Sequence, residues 1–210
     1  MPESRRIGRR NVVKRLQAID GEPGRTIYAG GVATFERAGE TLTVRPAFGL
    51  SHEMTYDRVR CGPCIEALER DATVGVMLVR LGGYAMGVFV GEKLASSKVG
   101  TRLVHGRHKA GGSSSNRFRR RREEQAAVLH ESAAATAARI LLPWVGRLEA
   151  VVLGGDREAV KQTLAERADL APIAALAQAR FVAVPDPRLR VLQALPYELY
   201  SAEVTSTEQP

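Results

Sequence analysis

The sequence predicts a mixed α/β protein, an α+β arrangement with helices packed on a mixed β-sheet, and three observations carry that prediction. The run from Thr73 to Val104 is apolar, rich in β-branched residues and broken by Leu81-Gly82-Gly83, the pattern of an antiparallel meander. Residues Asn116–Leu142 hold no Pro or Gly over 27 positions and are rich in Arg, Glu, Ala and Leu, the composition of one long helix. From 148 to 204 strand-like and helix-like segments alternate, which argues for layering of helices on strands.

In chain order the elements follow from local chemistry. Asn11–Ile19 places Val12, Val13, Leu16 and Ile19 on one side of a short helix. Arg25–Phe35 and Glu40–Val44 alternate around a Gly-Gly pair and read as a hairpin or small sheet. Pro46–Asp57 reads as a loop and Cys64–Arg70 as a short helix. After the meander comes the long helix, which Ser113, Ser114 or Ser115 can cap and Pro143 stops. Its apolar positions Ala126, Leu129, Ala133, Ala137, Ile140 and Leu141 recur at threes and fours, whereas its first two turns carry no stripe. The later half is therefore expected to pack and the basic start to project into solvent. Leu148–Leu153 reads as a strand, Arg157–Glu166 and the PIAALAQ segment as helices, and ARFVAV as a strand. Arg188–Leu195 reads as a last helix and Tyr200–Val204 as a last strand of the same sheet. Residues 1–69 form a basic, β-rich ancillary segment, 70–205 the main domain and 206–210 a disordered tail.

Composition narrows the function. The chain of 210 residues is 44% hydrophobic and carries 31 Lys and Arg against 23 Asp and Glu, a net charge of +8. Its pI is near 10.0 and its mean hydropathy −0.17. No apolar run approaches the ~20 residues that cross a bilayer, and the basic N-terminus lacks the apolar core of a signal peptide. The expectation is a cytoplasmic monomer without membrane contact. Coding bias raises Arg and Ala throughout a chain, but it does not cluster them. Here Lys93–Arg122 holds ten Lys or Arg, two His and no acid. Its core, KAGGSSSNRFRRRR from Lys109 to Arg122, joins a flexible hydroxyl-rich tip to an arginine stalk. Arg forks onto phosphate in a bidentate way, so this stretch points to RNA.

The candidate chemistry lies in that tip. Gly111 and Gly112 allow close approach and unusual backbone angles. Ser113, Ser114, Ser115 and Asn116 both donate and accept hydrogen bonds. Arg107, His108, Lys109, Arg117, Arg119, Arg120, Arg121 and Arg122 are candidate phosphate contacts. Phe118 either stacks on a base or anchors the helix. His105 and His108 suit phosphate contact or loop support better than general-base work, and Trp144 suits packing. The CGPC of Cys61 and Cys64 has redox spacing and is half of a zinc site, for which His52 or His105 would have to serve, or it holds structural thiols. No cofactor is expected.

The succession GVMLVRLGGYAMGVFVGEKLASSKVGTRLVHGRHKAGGSSSNRFRRRREEQ resembles the central domain of the VLRF family, the Vms-like release factors, and most resembles their actinobacterial branch. These are relatives of the catalytic domain of eukaryotic and archaeal class-I release factors, and the resemblance covers roughly 70–205. It implies a release-factor central-domain fold with RNase H-like layering. It also implies binding to the rRNA of the large ribosomal subunit and action on peptidyl-tRNA through the glycine loop. Relatives carry Gln two residues after the glycines, where this chain has Ser114; Asn116 is the nearest carboxamide. Either Asn116 acts from a shifted position, the serines suffice, or the protein binds without hydrolysing. A tRNA acceptor-end endonuclease and a non-catalytic RNA- or ribosome-binding factor are the alternative functions.

Overall fold

The computed structural model describes residues 4–101 and 114–208, and for 114–119 the backbone alone. The elements are β1 (Ser4–Ile7), α1 (Arg9–Ile19), β2 (Arg25–Ala29), β3 (Val32–Arg37), β4 (Glu40–Arg45), β5 (Met54–Tyr56) and α2 (Gly62–Glu69). Then come β6 (Thr73–Arg80), β7 (Gly83–Val90), β8 (Lys93–Thr101), α3 (Ser114–Leu141), β9 (Ala150–Gly155) and α4 (Arg157–Ala165). The chain closes with α5 (Ala171–Ala175), β10 (Ala177–Val182), α6 (Leu189–Ala194), α7 (Pro196–Leu199) and β11 (Ala202–Glu208). It divides into two units, one of residues 1–71 and 195–210, the other of 72–194.

The first unit is a six-stranded antiparallel sheet in the order β1-β11-β4-β3-β2-β5. Its strands alternate, so Tyr28, Phe35, Leu42, Val44 and Val204 share one core with Val12, Val13, Leu16 and Ile19 of α1 and Leu68 of α2. The β2–β3 turn is Gly30-Gly31, with φ of 58° and 75° at the two positions. A tight hairpin needs positive φ at both, and glycine adopts it without a Cβ clash.

Two expectations are corrected here. The last strand does not join the sheet of the meander; β11 pairs with β1 and β4 in this first sheet. It also runs to Glu208, so Ser206–Glu208 are paired strand where a disordered tail is expected from 206. A strand's own alternation says that it pairs, but not with which partner. Smaller differences lie in the segment read as a loop, where Met54–Tyr56 adds an edge strand on β2.

The second unit is a five-stranded mixed sheet in the order β10-β9-β6-β7-β8. The meander β6–β7–β8 is antiparallel as expected, and β9 and β10 add in parallel. β6 and β7 are buried along nearly their whole length. Such strands read as continuous apolar runs because both faces are covered. Met77, Val79, Met86 and Val88 face the core shared with Leu129, Ala133, Ala137 and Leu141 of α3 and Val160 of α4. On the opposite face Leu192 of α6 lies against Gly87, where a Cβ would sit 2.9 Å from its Cδ2. The fold is the mixed α+β class expected. No helix among the described residues is long and apolar enough to cross a membrane.

Candidate functional site

The second unit carries the segment that the sequence singles out. β8 is the edge strand of its sheet and ends at Thr101, and the next described residue, Ser114, opens α3. Arg107, His108, Lys109, Gly111, Gly112 and Ser113 lie outside the described residues, as does His105. Ser114, Asn116, Arg117 and Arg119 fall in the first turns of α3, where the backbone is helical. Their side chains, and that of Phe118, lie outside the described residues.

α3 changes character along its length. Leu129, Ala133, Ala134, Ala137 and Leu141 are fully buried. Ahead of Leu129 no described residue of α3 is buried: Arg120, Arg121, Glu123, Glu124, Ala127 and Val128 are exposed. At 1.5 Å per residue, the helix start at Ser114 stands about 22 Å from that first core contact. The side chain of Arg120 is 84% exposed and its Nε lies 3.3 Å from Glu124 Oε1 one turn on. An exposed pair of this kind contributes about 0.3–0.5 kcal/mol, too little to be why the arginines are there. The ten basic residues of 93–122 exceed the protein's whole net charge, since the other 180 residues carry 21 basic against 23 acidic side chains.

The root of this projection is fastened by residues that sequence reasoning missed. Tyr84 of β7 passes beneath Gly100 of β8, where a Cβ would lie 2.3 Å from the ring Cζ. Its hydroxyl accepts a hydrogen bond from Thr136 of α3 at 3.3 Å, with both groups buried. The end of β8 and the packed half of α3 are thus tied through one side chain. Across the helix, His130 is buried and its Nδ1 lies 3.1 Å from Thr163 Oγ1. Thr163 donates its own proton to the carbonyl of Ala159 at 2.8 Å. Its oxygen is therefore the acceptor for His130 Nδ1–H. Burial lowers the His130 pKa below the usual imidazole value, opposed in part by Glu166, Asp156 and Glu158. The signal was available, because position 130 falls between the stripe residues Ala126 and Ala133 at helical spacing.

The CGPC cysteines behave differently from a redox pair. Cys61 stands at the N-cap of α2, its backbone N–H donating to Asp20 Oδ1 at 2.7 Å. Cys61 and Cys64 are both fully buried, and burial above all pushes each thiol up to about 12. A thiolate nucleophile needs the opposite shift and access, so these are core thiols. His52 donates or accepts at Nε2 with Tyr56 Oη, 2.8 Å away, and its ring stacks on that tyrosine. Among the described residues, no group of three or more His, Cys, Asp or Glu is arranged to hold a metal ion. Trp144 packs partly against the second core, with Arg147 4.6 Å over its ring.

A family model described as actinobacteria/chloroflexi VLRF1 release factor matches residues 72–205. Among solved structures, the chain is similar to the archaeal translation termination factor aRF1 at 16% identity and a TM-score of 0.46, over 91% of this chain and 54% of that one. It is similar to the Vms1 mitochondrial localization core at 11% identity and a TM-score of 0.41, over 96% and 82%. It is similar to S. cerevisiae Dom34, a translation termination-like factor, at 7% identity and a TM-score of 0.36, over 90% and 61%. The chain spans about half the length of the archaeal factor. No curated protein matches it in sequence.

Proposed function

The chain belongs to the actinobacteria/chloroflexi VLRF1 release factor family, and from that premise we propose that it is a ribosome-associated release or rescue factor that hydrolyses peptidyl-tRNA on the large subunit. The observation that carries the reading is that GGSSSN, residues 111–116, runs in sequence into α3, whose first turns stand beyond the core with Arg120 and Arg121 exposed. Hydrolysis of an aminoacyl ester needs a water held in line and a donor for the developing oxyanion. Ribosomal RNA supplies much of the enclosing scaffold, so the protein need bring only a slim tip with backbone N–H groups. In this reading Gly111 and Gly112 give the tip its shape. Ser113, Ser114 and Asn116 orient the water. Arg107, His108, Lys109, Arg117 and Arg119–Arg122 meet rRNA and tRNA phosphates. The protein acts in the cytoplasm as a monomer with no cofactor.

The test is release of labelled peptide from stalled ribosomal complexes, read together with the 3′ end of the tRNA product. An intact CCA terminus is expected. A shortened terminus supports an acceptor-end endonuclease instead. Ser114, at the position where relatives carry Gln, favours a second reading as a binding factor without turnover. Stoichiometric ribosome binding with no product in either assay is the result that would establish it.

A further inference from the structure

The first unit carries a second basic surface that the release reading does not use. Residues 4–19 hold six Arg or Lys and no acid, although the unit as a whole is close to neutral. α1 buries Val12, Val13, Leu16 and Ile19, which turns Arg10 and Lys14 outward one turn apart. Arg9 lies 4.2 Å over the Tyr200 ring and 3.3 Å from Asp71, and Arg15 pairs with Glu40. Arg5, Arg6, Arg10 and Lys14 are exposed.

An aromatic ring stands in the middle of this surface. Tyr197 of α7 is 67% exposed, the most exposed large hydrophobic side chain among the described residues. It is not a free-floating side chain. One edge of its ring lies on Gly8, where a Cβ would fall 2.4 Å from Cε2 and 2.9 Å from Cζ. Any other residue at position 8 would displace the ring. The chain on either side of that contact reads Arg5-Arg6-Ile7-Gly8-Arg9-Arg10. Arg6 and Arg10 are each two residues from Gly8, so their Cα atoms lie within about 7 Å of it. A held, exposed aromatic ring flanked by cations is the combination that takes single-stranded nucleic acid, with a base on the ring and phosphates on the cations.

We propose that Tyr197, with Arg6, Arg10 and Lys14, is a stacking site for one unpaired base of RNA and its flanking phosphates, a contact separate from the glycine loop. The proposal rests on the reading that the partner of this protein is RNA. The acids near the site are Asp71, on Arg9, Glu198, next to Tyr197, and Glu203, which faces Arg6 in the β1–β11 pair and accepts from Ser4 Oγ at 2.8 Å.

The test is anisotropy of a fluorescent single-stranded oligoadenylate with the full chain, at two salt concentrations. Tyr197→Ala is expected to weaken binding about tenfold, within the range of one base–aromatic stack. Tyr197→Phe keeps the ring and is expected to bind as the parent does. Arg6→Gln with Arg10→Gln is expected to lower the slope of log affinity against log salt by about 1.4, near 0.7 per phosphate contact. Parent-like melting temperatures show that each variant folds. Tyr197→Ala within twofold of the parent, or an equal loss in Tyr197→Phe, overturns the proposal while leaving peptide release as it was. A parent chain that binds no RNA overturns both this proposal and the reading beneath it.

Discussion

One helix divides the second unit into two regions with opposite demands. The later half of α3 is alanine-rich and buries one stripe, with Leu129, Ala133, Ala137 and Leu141 all fully covered. The first half is arginine-rich, and Arg120 and Arg121 are exposed. Burial excludes charge from the stripe that faces the core, because an unpaired buried cation costs several kcal/mol, and the charges of the later half, Glu131 and Arg139, lie on its exposed side. Solvent removes that constraint from the first half, where no apolar face is required either. The comparison teaches that packing and, in the proposed function, binding are written on separate stretches of a continuous helix, so each stretch is open to change without the other.

Changes on either side of the division test it. Leu141→Ala is expected to cost about 2–5 kcal/mol in a denaturant melt, as a fully buried leucine does, and to leave RNA affinity of the folded fraction unchanged. A loss of affinity in the folded fraction would join the two halves again. Replacing Arg119–Arg122 by Gln is the mirror experiment. It is expected to lower the salt slope of RNA binding by about 3 while changing stability by no more than about 0.5 kcal/mol. Thr136→Val removes the buried hydrogen bond to Tyr84 and is expected to cost about 1 kcal/mol.

The smallest effect is pH dependent and belongs to His130. Its folded pKa is lowered by burial, so between that value and the ordinary value near 6.5 the unfolded chain binds more protons than the folded one. Its contribution to stability is therefore complete above about 6.5 and is lost as pH falls. His130→Gln is expected to flatten the acid limb of the melting temperature between about pH 7 and 5. An unchanged limb would place the acid sensitivity elsewhere.

Much of this was legible in the sequence, and the failures share a cause. The stripe Val12, Val13, Leu16, Ile19 announced α1, and each of those residues is buried. The glycine-punctuated apolar runs announced β6 to β8, and the absence of Pro and Gly announced α3. All are local signals. The strand at Ala202–Glu208 was legible as a strand, but its pairing of Val204 with Val44, 160 residues away, was not. The support of the site follows the same rule. The Gly-Ser tip and its arginines stand out by composition, whereas Tyr84 beneath Gly100 and bonded to Thr136 unites three elements that no window of sequence contains. The thiols of Cys61 and Cys64 have redox spacing, and only their complete burial separates them from a reactive pair.

In the proposed function the tip does chemistry and the stalk does binding. The direct measurement is peptide release from large ribosomal subunits carrying peptidyl-tRNA. The parent chain is compared with a variant whose residues 111–116 are exchanged for an unrelated linker and whose Arg117–Arg122 are kept. The variant is expected to bind the subunits as the parent does and to release no peptide, while the parent releases peptide and leaves the tRNA 3′ end intact. Equal release by the two proteins would contradict it.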